Sequence, residues 1–141
     1  MPAADRRIRG IGEVSIRVRD LEVMSTFYED VAGLEVLRRE ESFVFFRIAE
    51  RHGGHAQNLA LFDAREHPRW KLPEVDPERT TLHHIAFEVS LEGCDRERRR
   101  LESLGLEVEA AEHGWLHVRS LDFRDPEENL LELVAYDESV R

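Results

Sequence analysis

The chain is written twice. Residues 11–36, IGEVSIRVRDLEVMSTFYEDVAGLEV, give a short alternating run, then a helix-period stretch, then GLEV. Residues 82–108, LHHIAFEVSLEGCDRERRRLESLGLEV, pass through the same order and end on the same GLEV. Farther along, FFRI at 45–48 is echoed by DFRD at 122–125, and QNLALF at 57–62 by ENLLELV at 128–134. Order and spacing both recur, at a period too long for a solenoid. The repeat confines the 141 residues to two copies of one unit, each reading strand, helix, strand, strand, strand. We expect an α+β fold of two βαβββ modules, over 9–64 and 81–137. A connector at 65–80, rich in proline and charge, runs between them over the surface, and residues 1–8 form a tail.

Local signals support the unit. Val14, Ile16 and Val18 share one face of the first run, and Glu13, Ser15 and Arg17 the other. Asp20 is a good helix N-cap. Leu21, Met24, Phe27, Tyr28 and Val31 follow at helical spacing, and Gly33 ends the helix. The second helix starts near Ser90 or Leu91 and stops at Gly105, with a thinner stripe of Leu91, Cys94, Leu101 and Leu104. FVFFRI and WLHVRSLDF have strand composition, and DPEEN reads as a turn.

Parity then sorts the faces. A helix must cover an apolar face, because its own stripe needs a partner. Ile85, Phe87 and Val89 therefore look toward the second helix, as do Leu131, Leu133 and Ala135. His84 looks away from it, on the face that also carries Leu130, Glu132 and Val134. Glu13 holds the matching place in the first module. His83 falls on the other side as an edge residue. An open wet face is one possibility for an antiparallel sheet, yet it would expose Leu130, Val134, Phe45 and Trp115. Curving the sheet into a half-closed cup, with the helices outside, shields them and makes a ligand cavity. One imidazole and two carboxylates converging there, from His84, Glu132 and Glu13, are hard-to-borderline donors for a divalent ion. Scattered surface charges would give the same letters.

Composition narrows the partners. The formal net charge is -10, which disfavours nucleic acid and anionic membrane as main partners. The basic run DRERRR at 95–100 is diluted by acids and reads as the wet face of a helix. Cys94 is the only cysteine, so no internal disulfide forms and a cytoplasmic location is expected. Cys94 is expected to pack rather than to act as a nucleophile. No apolar run approaches membrane-spanning length, and the N-terminus lacks the apolar core of a signal peptide.

The segments VRDLEVMSTFYEDVAGLEV, LHHIAFEV and RSLDFRDPEENLLELV resemble the vicinal oxygen chelate superfamily. That superfamily spans glyoxalase I, extradiol dioxygenases, methylmalonyl-CoA epimerase, and fosfomycin- and bleomycin-resistance proteins. The resemblance covers both modules and implies a metal in the cup, held by first-strand and last-strand residues. His84 and Glu132 match that pattern. Glu13 stands where a histidine is usual, and Ala60 or Leu61 where glyoxalase-like members carry glutamate. Asp122 replaces a common aromatic, and Glu128 a turn glycine. The resemblance thus implies a divalent metal of open identity (Zn, Ni, Mn, Co or Fe), bound by Glu13, His84 and Glu132, with Glu13 and Glu132 as catalytic carboxylates. Lyase- or isomerase-like chemistry on a small oxygenated molecule is the first expectation. A metal-free, drug- or metabolite-binding protein is the alternative. A ring-cleaving dioxygenase is a weaker third, because its iron asks for two histidines and one carboxylate. Phe45, Trp115, His117, Arg119 and Asp122 are candidates for the substrate wall. A homodimer is expected. His52 and His55, flanking GG, read as a wet loop rather than a metal pair.

Overall fold

The structure, a computed structural model, describes residues 8, 10–50, 56–65, 76, 78 and 82–141. His52, His55 and the connector prolines lie outside those residues, as does nearly all of the tail. The first module runs β1 (Glu13–Val18), α1 (Leu21–Thr26), β2 (Glu35–Arg39), β3 (Phe43–Glu50) and β4 (Ala56–Asp63). The second runs β5 (Ile85–Glu88), α2 (Leu91–Ser103), β6 (Glu109–His113), β7 (Val118–Arg124) and β8 (Leu130–Tyr136). The duplication seen in the letters is repeated in the topology. One sheet has the order β1-β4-β3-β2 and the other β5-β8-β7-β6. In each, the first strand pairs parallel with the last and the remaining neighbours are antiparallel.

Helix boundaries follow from their ends. The Asp20 carboxylate accepts from the Val23 amide at 3.0 Å, and the Ser90 hydroxyl accepts from Gly93 at 3.1 Å. Gly33 (φ 76°) and Gly105 (φ 85°) take the left-handed conformation that closes each helix. The first helix does not run on regularly to Gly33, however. After Thr26 it widens into a π turn over Phe27–Val31. The wider turn lets the consecutive Phe27 and Tyr28 both reach the core, which an α-helical step of about 100° per residue resists. The expected WLHVRSLDF strand also breaks. Gly114–Leu116 form a 3-10 turn, His117 is left-handed (φ 55°), and the strand begins at Val118. The chain end lies against Gly114, where a Cβ would clash with the Arg141 backbone.

The core is shared by both modules. Val18, Met24, Phe27, Tyr28, Phe46 and Leu59 belong to one buried cluster with Leu101, Leu121, Phe123, Leu131 and Ala135. Polar links join the halves. Tyr28 Oη donates to Asp125 Oδ2 at 2.7 Å. Glu127 accepts the amides of Arg19 and Asp20. Arg100 Nη2 donates to the Val31 carbonyl at 2.6 Å. These contacts lie on the helix side of the sheets, so the two sheets do not merge within the chain. Two four-stranded mixed sheets, one per module, realise the expected half-closed α+β architecture, and β1 and β5 are both edge strands. No helix among the described residues is long and apolar enough to cross a membrane.

Candidate functional site

The face turned away from the helices carries the chemistry. In the second module, Leu131, Leu133 and Ala135 are buried against the helix side, which turns Glu132 to the opposite face. His84 immediately precedes β5, and Ala86 is in register with Glu132. His84 Nε2 lies 3.2 Å from Glu132 Oε2. Two donors about 2.0–2.2 Å from one ion sit roughly 3 Å apart at a tetrahedral or octahedral edge, so this pair fits a shared divalent cation. Its side chains are 36% and 13% exposed, open enough for a ligand to reach.

His83 is closer to the site than parity implied. Its Nδ1 lies 2.7 Å from His84 Nδ1, with ring centroids 5.0 Å apart. One ring must donate and the other accept. When His84 Nε2–H faces the Glu132 carboxylate, His84 Nδ1 accepts from His83. Offering the Nε2 lone pair to an ion requires the other tautomer, with His84 Nδ1–H donating to His83.

In the first module, Glu13 opens β1 and stands beside Asn58 of β4. Ser15 Oγ donates to Glu13 Oε2 at 2.5 Å. Glu13 does not join His84 and Glu132 within the chain. Among the described residues no three His, Cys, Asp or Glu side chains converge closely enough to hold one metal. Phe45 lies on the expected face and belongs to a half-buried trio with Phe43 and Phe62. Their centroid separations are 5.4, 5.8 and 5.8 Å. Phe43 shares the parity of Phe45 on β3, and Phe62 that of Ala60 on β4, so the same alternation places both on this face.

The remaining candidates divide. Asp122 is on the expected face, directly across from Glu132 in the β7–β8 ladder. Arg119 is not. An unbroken strand from Val118 to Arg124 gives residues 119 and 122 opposite parity. Arg119 pairs instead with Asp137 at 2.6 Å and Glu112 at 3.0 Å. Hydrogen bonds from Arg119 and Ser139 lower the Asp137 carboxyl to about 2. Trp115 is 84% exposed on the 3-10 turn, so it shields nothing. His117 is tied to the chain end, its Nδ1 lying 2.7 Å from the Val140 carbonyl. Cys94 is buried, and burial followed by Asp95 pushes its thiol up, against a nucleophile. A cleft of about 740 Å³ is lined by Gly33, Ile48 and Gln57 of the first module and Phe87 and Arg96 of the second, among others, with neither His84 nor Glu132 in its wall.

Comparison with known proteins agrees with this architecture. The chain is 28% identical over 140 residues to "Glyoxylase I 4" of Arabidopsis thaliana, covering 92% of this chain and 72% of that protein. Among solved structures, lactoylglutathione lyase from Agrobacterium tumefaciens is 28% identical with a TM-score of 0.68, covering 92% of this chain and 96% of that one. The fosfomycin resistance protein FosX from Listeria monocytogenes shares the fold, with a TM-score of 0.67 at 23% identity over 95% of this chain and 98% of that one. Residues 10–133 match the family Glyoxalase/Bleomycin resistance protein/Dioxygenase superfamily, and the chain belongs to it.

Proposed function

We propose that the protein is a divalent-metal-dependent enzyme of lyase or isomerase type acting on a small oxygenated molecule. The 3.2 Å approach of His84 Nε2 to Glu132 Oε2 carries this reading. These residues would hold the ion, and Glu13 from a second copy of the chain would complete the set. Bound there, a divalent ion supplies Lewis acidity toward a carbonyl or hydroxyl oxygen. The chain's own groups do the rest. Glu13, whose carboxylate accepts a short bond from Ser15, takes up and returns the proton. Glu132 neutralises charge beside it. Phe43, Phe45 and Phe62 form an apolar wall that excludes water from the ligand.

The names of the relatives, a glyoxylase I and a lactoylglutathione lyase, support lyase chemistry. The test is metal content of the purified protein beside His84→Ala and Glu132→Ala. Stoichiometric metal in the wild type and its loss in both variants is expected; metal retained in both rejects the site. The aromatic trio favours one second reading, a metal-free binding protein for an apolar drug or metabolite. Ligand binding that survives chelation, without turnover, would select it.

A further inference from the structure

Two buried side-chain oxygens among the described residues have no hydrogen-bond partner: Asn58 Oδ1 and Asp122 Oδ1. Both lie on the faces turned from the helices, and each is the register neighbour of a proposed carboxylate. Asn58 stands beside Glu13, and Asp122 stands opposite Glu132. A buried acceptor without a donor is costly, so each oxygen marks a place where a donor such as water or ion-bound water would be stabilised.

The row through Asp122 is also poorly balanced. Across three strands Glu132, Asp122 and Glu109 are aligned in register. Like charges directly opposite one another destabilise a ladder. Among the described residues no arginine or lysine pairs with Asp122 or Glu132, and His84 is the one basic partner of Glu132. The equivalent row of the first module carries no acid: Ala60 stands opposite Phe45, with Arg38 on the outer strand. The second module therefore carries two acids where the first carries an aromatic and a methyl.

We propose that Asp122 is a positioning residue of the metal site. Its carboxylate accepts hydrogen bonds from the water shell of an ion held by His84 and Glu132. With Glu132 it supplies the negative charge that the first module lacks at Ala60. This rests on the metal-dependent reading above, and the experiment separates the two. Mn(II) is titrated calorimetrically into the full chain, and the melting temperature of the metal-free protein is measured alongside. Asp122→Asn and Asp122→Ala are each expected to weaken Mn(II) by about tenfold or more, the usual effect of an outer-shell partner. The metal-free melting temperature should stay level or rise, because a repelled, unpartnered carboxylate has gone. Unchanged Mn(II) affinity in both variants, with affinity lost in His84→Ala, overturns the role of Asp122 and leaves the site standing. A fall in metal-free melting temperature that accounts for the weaker binding makes Asp122 a structural brace and also overturns it. No Mn(II) binding by the wild type removes the metal reading and this inference together.

Discussion

At the scale of single residues, the two adjacent histidines show what strand parity can and cannot decide. Alternation puts His84 rather than His83 on the face of Glu132, and the 3.2 Å contact agrees. Alternation does not hold strictly for His83, because both histidines precede the first regular strand residue, Ile85. There the backbone is free to bring neighbouring rings to 2.7 Å. Under the metal-dependent reading proposed above, that contact would give His83 a task, since accepting from His84 Nδ1–H would fix the tautomer that offers Nε2 to an ion. His83→Ala should weaken Mn(II) binding by roughly tenfold with the fold retained; calorimetry showing wild-type affinity would dismiss it. Arg119 teaches the opposite lesson. Its displacement from the site follows from the same period-2 rule applied strictly from Asp122, and the break at His117 obscured it. The missing partner of Asp122 Oδ1 had no letter to announce it, because an absent hydrogen bond is a property of packing.

At the scale of elements, the β7–β8 turn is where sequence was most informative. DPEEN folds around Asp125, which is buried and accepts the amides of Glu127 and Asn129, the Asn129 side chain and the Tyr28 hydroxyl. Burial first and Asp125 second push the Tyr28 phenol far above its ordinary value, so it remains a donor. Tyr28→Phe removes one of Asp125's donors and should cost about 1–3 kcal/mol in denaturant unfolding. Glu128, in the place of a turn glycine, does take φ 69°. Glu128→Gly should stabilise by up to about 1 kcal/mol, relief of left-handed strain outweighing glycine's entropy; a lower urea midpoint would contradict this. The π turn was not legible, since helical spacing of apolar residues does not distinguish 3.6 from wider turns over one turn's length. At the chain's end, the pairing with Arg119 and Ser139 depresses the Asp137 carboxyl from 3.8 to about 2. A carboxylate ionised more readily when folded contributes stability above its unfolded value and loses it as pH falls. The melting-temperature gap between wild type and Asp137→Asn should therefore be constant above about pH 4 and close as the pH approaches about 2. A gap that persists through that window would show that the pairing does not act through charge.

At the scale of the molecule, duplication dictated the fold but not how the halves meet. The repeat fixes two identical topologies, and each helix-side stripe demands burial. Whether two open sheets then join to each other or to another chain depends on edges, which no hydrophobic pattern encodes. Here the halves share a core through their helix sides, and β1 and β5 keep their edges open. Unpaired edges invite strand partners, and these two carry Glu13 at one start and follow His84 at the other. A two-fold pair of chains that laid β1 of one beside β5 of its partner would be isologous. It would form two equivalent sites, each taking Glu13 from one chain and His84 with Glu132 from the other. Mixing distinguishes this from a site within one chain. Glu13→Ala and Glu132→Ala should each bind Mn(II) weakly alone. Unfolded together and refolded, mixed pairs contain one site with both defects and one with none. About half of the chains should pair as mixed dimers, so tight binding should return at roughly one site per four chains for random two-fold pairing. If each chain built its own site, every site in the mixture would still carry a defect, and tight binding would not reappear at any mixing ratio.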